Sequence, residues 1–227
     1  MPLGVEIPLK EVKRYMGYHG IADISSDTEE RIRKAVDQVS SQSHPRIVSK
    51  EYPVTVSDDE IVIHAGNEEL VLHSTALARN LKDCCGAVLL AATIGPACDM
   101  LVRRAGVTSA ADASIYQAAG AAAIESFLDD YNDRLKAEYE AQGLFLRPRF
   151  SPGYGDLDLG HQKDWFRLLD ISKQIGIELT DSLLMVPTKS VTAIIGVGIS
   201  ENRTACTGCA GCNRHATCEF SKGSNET

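Results

Sequence analysis

The chain has 227 residues, 44% of them hydrophobic and 24% charged, a composition that suits a soluble globular protein with one sizeable core. Its 31 acidic and 23 basic side chains leave a formal net charge of -8, and an acidic protein gains no counterion-release affinity for phosphate backbones, which excludes nucleic acid as a default partner. The longest apolar run, GAVLLAATIGPA, falls far short of the ~20 residues of a membrane helix, and the N-terminus carries charges too early for an export signal. The expectation is therefore a cytoplasmic protein whose seven cysteines stay reduced.

In chain order, LKEVKRYMGY (9–18) reads as a short helix with Val12, Tyr15 and Met16 on one face and Gly17 near its stop. A second helix follows in SSDTEERIRKAVDQVSS, where Ser26 and Glu29 form a capping box and Ile32, Ala35, Val36 and Val39 make one apolar stripe. From Pro45 the period changes to two. EYPVTVS, EIVIHA and ELVLHS alternate apolar and polar residues, with Gly66-Asn67 as a hairpin turn, which predicts a half-buried antiparallel sheet.

Residues 86–94 are apolar throughout and suit a central strand ending at Gly95-Pro96. A long alanine-rich helix is expected from Ser109 to about Gln142, closed by Gly143. HQKDWFRLLDISKQIG reads as one further helix stopped at Gly176, with Trp165, Leu168 and Leu169 on its core side, and SVTAIIGVGIS as a last strand. Without a strand–helix–strand beat, the fold class expected is α+β: a twisted antiparallel sheet with helices, one of them the long alanine-rich one. The division is an α+β domain over residues 1–200 and a polar, cysteine-rich tail over 201–227.

Between the long helix and the next lies RPRFSPGYGDLDL, residues 147–159. Pro152-Gly153 is a type II turn signature, in which proline presets φ and glycine takes the positive value. Such a turn is expected to aim backbone N–H groups outward, with Gly155 repeating the permission and Tyr154 adding an aromatic face. Arg149 before the turn has the geometry to pair with a carboxylate or phosphate. The residues describe either a cradle for a small anionic ligand or a surface turn with solvated arginines.

RPRFSPGYGDLDL resembles the ligand loop of the reactivation domain of cobalamin-dependent methionine synthase, an arginine, two residues, then Pro-Gly-Tyr. EVKRYMGYHG resembles that family's opening helix, AATIGP its central strand and turn, and IGIELTDSLLMVPTKSVTAIIG its closing helix and strand. The resemblance spans roughly residues 8–199. It departs at Phe150 and Gly155, where the synthase loop usually carries proline; Gly-Asp-Leu looks like the family's stand-alone members.

The resemblance implies binding of S-adenosylmethionine and capping of a corrin face, so that cob(II)alamin is reductively methylated back to methylcobalamin. Carried over, it gives Arg149 the ligand carboxylate, Ser151 and Gly153 backbone contacts, Tyr154 a place near the methyl donor as the catalytic candidate, and Glu125 the sulfonium or amino group. No Asp-x-His-x-x-Gly cobalamin motif is present, so the cobalamin is expected on a partner, a methionine synthase core or another corrinoid protein, with an electron donor. Lys189 falls in the closing block, near ligand or simply exposed.

The tail places Cys206, Cys209, Cys212 and Cys218 at C-x2-C-x2-C-x5-C. This lies near the ferredoxin run but has a longer last gap and Glu219 in place of proline, so an iron–sulfur cluster, zinc and free or redox thiols stay open. His215 is a spare ligand or a solvated side chain. Cys84, Cys85 and Cys98 read as small buried hydrophobes, the Asp129, Asp130 and Asp133 run as a solvated helix face, and the Gly-x-Gly of IIGVGIS as no dinucleotide fingerprint. Two further readings stand beside reactivation: a redox partner working through its tail, and a non-enzymatic binding module for a corrinoid protein.

Overall fold

A computed structural model of the protein describes residues 5–18 and 24–200. Helices α1 (Leu9–Tyr15) and α2 (Ser26–Gln42) lead into strands β1 (Arg46–Val56), β2 (Glu60–Ala65) and β3 (Glu68–His73). Helix α3 (Thr75–Asn80), strand β4 (Cys84–Thr93) and helices α4 (Ala97–Gly106) and α5 (Ala110–Glu140) follow. Strand β5 (Phe145–Leu146), helices α6 (Gln162–Leu169) and α7 (Ile171–Ile175), strands β6 (Glu178–Leu179) and β7 (Met185–Val186), and strand β8 (Ser190–Gly198) complete the order.

Six strands form one antiparallel sheet in the order β3-β2-β1-β4-β8-β5. β1 hands the ladder across: Arg46 to Pro53 pair with β4, and Val54 to Val56 pair with β2. β4 is central and covered on both faces, which is why its sequence is apolar without alternation. On one face Val88, Leu90, Ala92, Ala193, Ile195 and Val197 meet α1, α2, α4 and α5. On the other, Ala87, Leu89, Ala91 and Ile194 meet α3, α6 and α7 together with Leu157. The α+β architecture with one long alanine-rich helix is thus the one expected.

The long helix packs through its small residues. Ala119 and Ala123 are fully buried, and a Cβ at Gly120 would run into the Cys98 sulfur and stand 2.9 Å from Cε of Lys189. Trp165 is buried and its Nε1–H donates to the Ala193 carbonyl at 2.9 Å, so its core role holds.

Several local expectations give way. The cap of α2 is Ser25, whose Oγ accepts from Thr28 N, because the chain turns helical one residue earlier than the Ser26 box implied. The helix expected through residue 176 is cut at Asp170, whose φ of 50° is left-handed, into α6 and α7. In the stretch read as a closing helix and strand, helix ends at Ile175 and residues 178–186 form a small hairpin before β8. Cys85 is exposed, not buried, because β4 carries an irregularity between Cys84 and Gly86 that turns it outward.

Candidate functional site

The site is built on the free edge of the sheet. β5 pairs Phe145 with Gly198 and Leu146 with Val197, and Arg147 N then donates to the Gly196 carbonyl at 2.8 Å. Phe150 and Ile194 exchange both backbone hydrogen bonds, at 2.9 and 2.7 Å. Pro148 and Arg149 therefore stand opposite the single residue Ile195, which makes a β-bulge of one extra residue. Proline, with no N–H to give the ladder, sits at the bulge. The extra residue reverses the side-chain alternation, so Arg147 and Arg149 leave the sheet by opposite faces.

Arg147 turns toward α3 and is 2% exposed. Its Nη1 donates to the Ser200 carbonyl at 2.6 Å and its Nη2 to the Lys82 carbonyl at 3.2 Å. The Gly-x-Gly of the last strand makes the room: a Cβ at Gly196 would lie 2.8 Å from Arg147 Cγ, and one at Gly198 2.7 Å from its Nη2. This arginine is a buried fastener.

Arg149 turns the other way, onto α5. Its Nη2 donates to Asp129 Oδ1 at 2.7 Å and to Glu125 Oε2 at 3.3 Å, and its side chain keeps 21% of its surface exposed. The structure thus brings Arg149 and Glu125, two of the residues singled out from the sequence, together. It adds Asp129, which the acidic run with Asp130 and Asp133 predicts as part of a solvated helix face. The available signal was its spacing four residues from Glu125, which puts both carboxylates on one helix face.

The turn beyond Arg149 has the expected backbone. Gly153 has φ 90°, and Tyr154 N donates to the Ser151 carbonyl at 3.0 Å. The outward N–H groups are not found at Gly153 and Tyr154: Gly153 N donates to the Leu157 carbonyl at 2.9 Å, and Leu157 N returns to the Tyr154 carbonyl at 3.0 Å. A backbone contact from Gly153 to a ligand would run through its carbonyl. Gly155 sits at φ 55° with space for a Cβ only 3.0 Å from that of Ala76.

Asp156 pins the loop to α3, accepting from the Ser74 hydroxyl, from Thr75 N at 2.9 Å and from Ala76 N at 3.2 Å. The Ser74 bond foremost, with those backbone N–H groups, holds its carboxyl below the usual range. Leu157 behind it is buried in the core. Tyr154 is left 63% exposed, edge-on to Phe150 with ring centroids 6.5 Å apart. The loop is rigidly anchored and presents one aromatic ring to solvent.

Lys189, from the closing block, donates to Gln117 Oε1 and lays its stem over Gly120. A cleft of about 430 Å³ opens elsewhere, between α2, α4 and α5, lined by Arg31, Lys34, Gln38, Arg104, Asp112 and Tyr116 among others. None of the loop residues reaches it. His19 and the tail residues Cys206, Cys209, Cys212, His215 and Cys218 lie outside the described residues. Among the described residues there is no cluster of metal-ligating side chains and no helix long and apolar enough to cross a membrane.

An antiparallel sheet covered on both faces, with an anchored Pro-Gly-Tyr loop beside a long helix, is the class of domain these features define. The family model described as vitamin B12 dependent methionine synthase, activation domain, matches residues 128–206, which contain the whole loop. A solved structure described as the MetH reactivation domain bound to AdoHcy superimposes with a TM-score of 0.63 at 16% identity, covering 88% of this chain and 79% of that one. No curated protein sequence matches. The chain therefore has the fold of a methionine synthase reactivation domain and, from the end of α5 through β8, that family's sequence pattern, as the resemblance implied.

Proposed function

We propose that this protein binds S-adenosylmethionine between the 149–155 loop and α5 and serves the reductive reactivation of a cobalamin carried by a separate methionine synthase core or other corrinoid protein. The observation that carries the reading is the Arg149 guanidinium, turned by the bulge onto two carboxylates of α5. A guanidinium beside carboxylates complements the two ends of an α-amino acid: Arg149 takes the ligand carboxylate and Glu125 the ammonium or sulfonium. Ser151 and the Gly153 carbonyl line the approach, and the exposed Tyr154 ring offers a flat apolar face to the ligand or the corrin.

When bound, S-adenosylmethionine supplies an activated methyl group, whose transfer to cobalt with one added electron turns cob(II)alamin into methylcobalamin and releases S-adenosylhomocysteine. The chain's own residues bind and orient: the amino-acid end is held at α5, and Tyr154 stands nearest the reacting side. The electron comes from a donor protein, and the process belongs in the cytoplasm. For the tail we propose a metal site at Cys206, Cys209, Cys212 and Cys218, with an iron–sulfur cluster, which would pass on an electron at low potential, ahead of zinc. That spacing is also what favours the second reading, a redox partner that docks on the corrinoid protein.

The test is a mixture of a cob(II)alamin-loaded synthase core lacking its own reactivation domain, a low-potential reductant, S-adenosylmethionine and this protein. The expected result is the methylcobalamin spectrum, lost when the protein or S-adenosylmethionine is left out and slowed with Arg149→Ala. No spectral change with the wild-type protein would sink the proposal.

A further inference from the structure

Asp129 has no assigned role, yet it makes the shorter of the two contacts to Arg149, 2.7 Å against 3.3 Å for Glu125. Glu125 and Asp129 are one turn apart on α5, and like charges at that spacing destabilise a helix. The guanidinium between them offsets that repulsion. Both contacts fall on Nη2 alone, and among the described residues no other hydrogen bond or ion pair reaches Nε or Nη1. Of the five N–H donors of an arginine, two are committed to α5 and three remain. An arginine held through one nitrogen is fixed in direction and still able to bind.

Resting on the binding site proposed above, we infer that Asp129 is the positioning residue of that site: it holds Arg149 on the α5 side of the sheet edge, with Nε and Nη1 presented to the carboxylate of an amino-acid-bearing nucleoside. Ordering a long side chain in advance removes an entropic cost from ligand binding. The bulge at Pro148 sets which face the arginine leaves by, and Asp129 sets where its end stops. Asp129 acts through Arg149 and touches no ligand in this scheme.

That distinction is testable by a double-mutant cycle in the full-length protein, with S-adenosylhomocysteine as the titrant in a calorimeter. Asp129→Asn is expected to weaken binding roughly tenfold in the wild-type background. In the Arg149→Ala background the same substitution is expected to change affinity by less than about twofold, since there is no guanidinium left to position. Equal losses in both backgrounds would mean that Asp129 meets the ligand directly, and tighter binding by Asp129→Asn would mean that it competes with the ligand; either overturns the inference, as does an unchanged affinity. A wild type that binds, with Arg149→Ala weakened and Asp129→Asn not, removes this inference alone. A wild type that does not bind removes the site as well. An unaltered urea midpoint for Asp129→Asn confirms that the change acts on binding and not on the fold.

Discussion

The three described cysteines share a residue type and differ in surroundings. Cys84 and Cys98 are buried, and burial pushes both thiols up, Cys98 to about 11 even though Lys189 pulls it back. Only the thiolate is nucleophilic, so both are inert at neutral pH. Cys85, turned out by the irregularity in β4, is open to reagent. Brief alkylation of the native protein at pH 8, followed by peptide mapping, is expected to modify Cys85 and to spare Cys84 and Cys98 until denaturant is added. The two arginines make the same contrast: Arg147 and Arg149 lie two residues apart, and one fastens the sheet while the other faces α5. Charge alone does not tell them apart; the carbonyls around Arg147 and the carboxylates around Arg149 do.

At the scale of the element, α5 combines two demands. Its alanines and Gly120 let α4 and the β7–β8 connection approach closely, while Glu125 and Asp129 serve the sheet edge. Gly120→Ala would gain about 1 kcal/mol of helix propensity. It would also drive a methyl into the buried Cys98 sulfur and against Lys189 Cε, and overpacking costs roughly 1–3 kcal/mol. The lysine stem can move aside; a sulfur enclosed in the core cannot. Gly120→Ala should therefore lower stability in urea unfolding, by about 1 kcal/mol after the propensity gain is counted. In a Cys98→Ala background the same change should become neutral or stabilising, because the obstructing atom is gone.

For the whole molecule, the two cores close by residue 197, and among the described residues Ser200 is tied in only by its carbonyl on Arg147. A chain ending at Ser200 keeps every residue of both described cores and should unfold in one transition. Iron or zinc measured in the anaerobically prepared full-length protein should be absent from this shorter one. Ending the chain at Gly198 instead removes an acceptor from a buried guanidinium, and a midpoint lowered by the equivalent of about 1–3 kcal/mol is expected. An undiminished metal content in the Ser200 variant would move the metal site out of the tail.

Much of this was legible without coordinates. The long helix, the alternating strands and the Gly66 hairpin are local patterns, in which each residue's partners lie within a turn or across a ladder. The short helices α3 and α4 were not; in α3 six residues give too few turns for a period to show. Nor was the break at Asp170, a left-handed non-glycine position that packing on both sides imposes. The sequence by itself determined that an arginine precedes a Pro-Gly-Tyr turn and that two carboxylates share a helix face some twenty residues earlier. Only the tertiary structure decided that they meet. The reason is the one-residue bulge against β8, a register set by hydrogen bonds to a strand more than forty residues away, which chooses the face from which Arg149 leaves the sheet.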